Sequence, residues 1–78
     1  FNITTKEDRI RTCYMQACLA YVNFSAISNA DIREIFGLSD KDKVKISRVI
    51  KDTIEKGLIK PLDPNTAPRY MKYIPHWA

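Results

Sequence analysis

The chain has 78 residues, 45% of them apolar and 28% charged, and carries a net charge of +4. A domain of this length buries only about 60% of the surface its unfolded chain exposes, so its core is thin and a deep catalytic cleft between lobes is not expected. No segment approaches the about 20 consecutive apolar residues that a membrane-spanning helix requires, and the start of the chain, without Met or a basic segment followed by an apolar run, reads as a fragment of a longer cytoplasmic protein rather than as a signal peptide.

A first helix is expected from about Thr5 to Val22. Thr4 or Thr5 caps it, and Glu7 and Asp8 sit at the positive end of its dipole. Ile10, Cys13, Tyr14, Ala17, Cys18 and Tyr21 recur at helical spacing and predict the buried stripe. Met15, Leu19 and Val22 form a second apolar stripe on the other side. Two explanations stand for it: Phe1 and Ile3 fold over it, or it contacts a missing domain or a second copy. Cys13 and Cys18, five residues apart on one helix, cannot bridge and are expected as free thiols, in keeping with a reducing cytoplasm. With one histidine, His76, and no Cys-x-x-Cys pair, no zinc site and no cofactor are expected.

Asn23–Ile27 reads as a connector with room for one short strand. Ser28 is then placed to cap a second helix, Asn29–Phe36, with Asp31 reaching back as the acidic member of a capping box. Ile32, Ile35 and Phe36 are expected inside, and Gly37 ends the helix. After a tight turn at Leu38-Ser39-Asp40, a third helix capped by Ser39 or Asp40 runs to about Lys56, where Gly57 stops it. Ile46, Val49, Ile50 and Ile54 form its inward face. The period then changes. Leu58–Leu62 predicts a strand that Pro61 confines to an edge, residues 63–68 predict a turn, and Arg69–Ile74 predicts a second strand ended by Pro75. Trp77, in the tail, is expected to pack on the core.

The order helix, helix–glycine turn–helix, hairpin predicts an α+β, mainly α fold of the winged helix-turn-helix type over residues 1–78, as a single domain. Charge agrees with a polyanion as partner. Residues 1–40 carry four basic and five acidic side chains, whereas residues 41–78 carry nine basic and four acidic ones, a net of +5. On the third helix Lys41, Val44, Lys45, Arg48, Lys51, Asp52 and Glu55 are expected to face out, and Lys41, Lys45 and Arg48 share one outward strip flanked by Lys43 and Ser47. That strip lies in the half of a recognition helix that meets base edges in the major groove of double-stranded DNA, where lysines neutralise phosphates and an arginine fork suits guanine. Arg69, on the expected second strand, is a further candidate contact, and Asn65 and Thr66 sit at the tip of the hairpin. Asp52 and Glu55 fall further along the third helix. No nucleophile–histidine arrangement or phosphate-cradling glycine loop is present, so the chain is not expected to be an enzyme. A protein-interaction or dimerisation role, favoured by Met15, Leu19 and Val22, is the alternative.

The run from Asn29 to Leu38, the segments Ser47-Arg48-Val49-Ile50-Lys51-Asp52 and Gly57-Leu58-Ile59-Lys60-Pro61, and the closing stretch Arg69 to Ala78 together resemble the C-terminal winged-helix domain of certain bacterial transcriptional regulators. Proteins of that group carry an N-terminal Schlafen AlbA-like domain and an ATP-binding region of the histidine-kinase type, and some are labelled helicase-related. The resemblance covers about 50 residues, with His76 standing where the pattern has phenylalanine. It implies a DNA-binding role in transcription regulation, with any ATP binding in the rest of the parent protein.

Overall fold

The computed structural model describes residues 5–67 and 70–78. In chain order they form helix α1 (Lys6–Val22), strand β1 (Ile27–Ser28), helix α2 (Asn29–Ile35), a single 3-10 turn (Asp40–Asp42), helix α3 (Lys43–Glu55), and strands β2 (Ile59–Pro61) and β3 (Lys72–Pro75). The fold is therefore small, α+β and mainly helical.

Local chemistry sets the helix boundaries. The Thr5 hydroxyl accepts the Asp8 amide at 3.1 Å and starts α1. Ser28 and Asp31 form the reciprocal pair expected of them, with amide-to-side-chain bonds of 3.0 and 3.2 Å. All three helices end alike. Ser25, Leu38 and Leu58 each donate their amide to a carbonyl five residues back, over a residue in the left-handed conformation. Gly37 and Gly57 fill that position in α2 and α3, where a Cβ would be strained (φ +70 and +73). At the end of α1 the position is filled by Phe24 (φ 59), which is fully exposed.

The three strands form one antiparallel sheet in the order β1-β3-β2. Ile27 pairs with Tyr73 on one side of β3, and Ile59, Lys60 and Pro61 pair with Pro75, Ile74 and Tyr73 on the other. β2 is an edge strand, which is where Pro61, with no amide hydrogen to donate, belongs. The core lies between the sheet and the helices and consists of Cys13, Ala17, Ile27, Ile32, Ile46, Val49, Ile50 and Ile59. Thr53 is buried among them, its hydroxyl donating to the Val49 carbonyl at 2.7 Å. Cys13 and Cys18 are free thiols.

Several expectations change. The third helix does not begin at the turn: Asp40–Asp42 is 3-10, and the α-helix starts at Lys43. Ile35 and Tyr21 are exposed, and Ile54 is only half-buried, with Thr53 taking the inward position. Seven residues make α2 less than two turns long, so its inward face has room for Ile32 and part of Phe36 but not for Ile35. The final strand starts later than expected, at Lys72, and includes Pro75, which is paired on the side where no donor is needed. Trp77 is not in the core. It lies on the surface of α1, its indole nitrogen donating to the Tyr14 hydroxyl at 2.9 Å and its ring edge-on to Tyr21 at 5.5 Å. The suggestion that Phe1 and Ile3 cover the second stripe of α1 lies outside the described residues, as does capping by Thr4.

Candidate nucleic-acid interface

With Ile46, Val49, Ile50 and Thr53 buried, the opposite side of α3 is open. Lys43, Val44, Lys45, Ser47, Arg48 and Lys51 are all exposed there. At 100° per residue, Val44, Arg48, Lys51 and the exposed acid Glu55 point furthest outward, Ser47 and Lys43 turn toward α2, and Lys45 and Asp52 turn toward α1. Lys41 is exposed as well but sits on the 3-10 turn that leads into α3 rather than on the α-helix itself. Val44, an apolar side chain left 64% exposed, stands in the middle of the basic face. Arg69 lies outside the described residues.

A polar network fixes α2 against α3. Asn29 donates through Nδ2 to the Ser47 hydroxyl at 3.2 Å and to the Lys43 carbonyl at 3.3 Å. The Arg33 Nε donates to Asn29 Oδ1 at 2.8 Å, and its Nη1 pairs with the Asp40 carboxylate on the 3-10 turn. The Arg33 side chain is only 11% exposed. Ser47 is thus an acceptor within the fold, and its own hydrogen remains available to an outside partner.

On the other flank, the start of α1 approaches α3. Lys6, Arg9 and Ile10 face Lys45, Arg48, Val49 and Asp52 across a cavity of about 420 Å³. Two ion pairs cross or border it: Lys6 Nζ to Asp52 at 3.8 Å, and Lys45 Nζ to Asp42 at 3.4 Å. Sequence reasoning missed Lys6 and Arg9 because they belong to the half of the chain with no net positive charge. It also missed Asn29 and Arg33, whose roles arise only from α2–α3 packing. No signal local to any of these residues marks them.

In the connection between β2 and β3, Asp63 is engaged internally, with the Asn65 amide on its carboxylate at 3.0 Å and the Thr66 amide on its carbonyl at 3.1 Å. Beyond the basic face, Met15, Leu19 and Val22 are 59%, 55% and 62% exposed and form an apolar surface on α1. Among the described residues no group of three or more His, Cys, Asp or Glu could hold a metal, and no helix is long and apolar enough to cross a membrane.

What the fold and site define is a small, mainly helical α+β chain with an exposed basic helix face. No family model matches the chain, and no curated protein or solved structure is significantly similar to it.

Proposed function

We propose that this chain is a winged helix-turn-helix module that binds double-stranded DNA, with α3 in the major groove and the β2–β3 pair as the wing, in a cytoplasmic bacterial transcriptional regulator of the kind it resembles. The observation that carries the reading is the two-sidedness of α3. One side is entirely apolar or satisfied, and the other exposes Lys43, Lys45, Arg48 and Lys51 with Ser47 and Val44 between them, Lys41 just ahead and a single acid, Glu55, at the far end of the helix. A helix that is buried by one face and basic on the other, held at a fixed angle by the Asn29–Ser47 and Arg33 contacts, suits insertion between two phosphate backbones. Any ATP binding or catalysis belongs to other parts of the parent protein.

Titration of labelled duplex at two salt concentrations tests this. Non-specific binding with Kd of about 10⁻⁴–10⁻⁶ M at physiological salt, weakening steeply as salt rises, is the expected result. Absence of duplex binding at low salt and high protein concentration overturns it. A selection on random duplexes then separates two roles. Arg48→Ala should cost about 1–3 kcal/mol on the preferred site and relax preference there, whereas Lys45→Ala should weaken all sequences alike.

The exposure of Met15, Leu19 and Val22 favours a second reading, a docking or dimerisation surface on α1. Sedimentation of wild type and a Leu19→Glu variant distinguishes it: a concentration-dependent dimer lost in the variant supports it, and a monomer at all concentrations argues against self-association.

A further inference from the structure

Four cationic side chains from two distant parts of the sequence line one cavity. Lys6 and Arg9 come from the first turn of α1, and Lys45 and Arg48 come from α3. Its floor is apolar, formed by Ile10 and Val49, both buried. Asp52 is the single acid among the lining residues, and it holds Lys6 at 3.8 Å with its own side chain 30% exposed. Asp42 holds Lys45 from outside the lining. The cavity thus gathers more positive than negative charge over a low-polarity floor, an arrangement that an incoming anion relieves.

We infer that this cleft is an anion site that takes a phosphodiester of the duplex backbone beside the groove entered by α3, an assignment that rests on the DNA-binding reading above. Lys45 and Arg48 belong both to the cleft and to the exposed face of α3, so a backbone passing along that face meets Lys6 and Arg9 next. Lys6 and Lys45 bind phosphate oxygens as mobile point charges, Arg9 adds positive charge beside them, and Arg48 marks the edge of the cleft from which it reaches the bases. Asp52 opposes the ligand and competes with it for Lys6. The site supplies position and affinity rather than sequence preference, since phosphate contacts carry no base information.

The test uses Lys6→Gln and Asp52→Asn, with Arg11→Gln as the control of equal charge. Arg11 lies on the same face of α1 as Met15 and Val22, away from the cleft. Thermal melts establish that each variant folds; the Lys6 side chain is 67% exposed. Duplex affinity is then measured at 50 and 200 mM salt on several sequences. Lys6→Gln should make the salt dependence shallower by about 0.9 in log–log slope, equivalent to a wild-type advantage that shrinks by about 3.5-fold between the two salts, equally on every sequence. Asp52→Asn should tighten binding to every sequence, and Lys6→Gln should cost more in the Asp52→Asn background than alone. Arg11→Gln should leave the slope unchanged. Equal slopes for Lys6→Gln and Arg11→Gln, with duplex binding intact, overturn the phosphodiester site and leave the DNA reading standing. No duplex binding by wild type overturns both. In a parallel titration followed by NMR, inorganic phosphate that shifts Lys6 and Lys45 resonances and is not displaced by duplex identifies a free-anion site and overturns the backbone assignment. Displacement by duplex supports it.

Discussion

Ile50 and Val44 lie six residues apart on α3 and are both apolar, yet the fold assigns them opposite fates. Ile50 is 3% exposed and part of the core, whereas Val44 is 64% exposed on the basic side. Ile50→Ala removes three carbons from a packed site. At about 0.8 kcal/mol per methylene the transfer loss is about 2.4 kcal/mol, and the cavity left behind brings the total to about 2–5 kcal/mol. A chain of 78 residues has a total stability of about 4–12 kcal/mol. The substitution therefore removes a large fraction of it and lowers Tm by about 10 °C or more, at about 4–8 °C per kcal/mol for a domain of this size. Val44→Ala loses no core contact and gains helix propensity, so its Tm should change by less than what about 0.5 kcal/mol produces. Circular-dichroism melts of the two variants at equal protein concentration make the comparison. Equal losses, or a loss under 1 kcal/mol for Ile50→Ala, would mean that α3 is rotated relative to this account, and the basic face would then not be the open one.

Other outcomes follow from single sites. Burial pushes the Cys13 thiol up from 9.0 to about 11, against a smaller opposing effect of its hydrogen bond with Thr53. Unfolding therefore releases a proton between those two values, so stability should fall as pH rises from about 9 to 11, by about 1.4 kcal/mol per unit. Tyr73, also raised by burial, acts in the same direction, so the measurement is the difference in urea midpoints between wild type and Cys13→Ala; a difference that is flat over that pH range refutes the assignment. Ser28→Ala deletes the hydroxyl that accepts the Asp31 amide and should cost about 1 kcal/mol, read from the same melts. Phe24→Gly relieves a left-handed, fully exposed phenylalanine and should stabilise the chain by up to about 1 kcal/mol; a clear loss would show that the ring has a packing role. In native protein a thiol reagent should modify Cys18 readily and reach Cys13 only on unfolding, since Cys13 has no exposed surface.

The parts of the fold that were legible in the sequence are those written in local chemistry. Ser28 and Asp31 three residues apart, and glycines at 37 and 57 after apolar periodic runs, specify helix ends through bonds that span at most five residues. The inward set Ile46, Val49 and Ile50 follows from period alone. Pairing of β1 with β3 was not legible, because Ile27 and Tyr73 are brought together only after the helices between them have packed. Trp77 misled for a related reason: its size argues for burial, but its nitrogen found the hydroxyl of the half-buried Tyr14 at the edge of the core and its ring stayed exposed. Charge shows the same limit most clearly. Dividing the chain into an acidic and a basic half treats sequence proximity as spatial proximity, which over the about 10 Å range of unscreened interaction it is not. Lys6 and Arg9, counted in the acidic half, fold beside Lys45 and Arg48, and Asp52, counted in the basic half, is tied to Lys6. The basic surface is consequently wider than α3 and belongs to a junction between two helices. On the DNA-binding reading, a variant series confined to α3 would therefore underestimate the number of phosphate contacts, and the measured salt slope of wild type should exceed what Lys43, Lys45 and Lys51 alone supply. At about 0.9 per contact, three contacts give a slope of about −2.7. A slope steeper than that, which Lys6→Gln brings back toward it, is what a two-helix surface requires, whereas a slope at or below it would confine binding to α3.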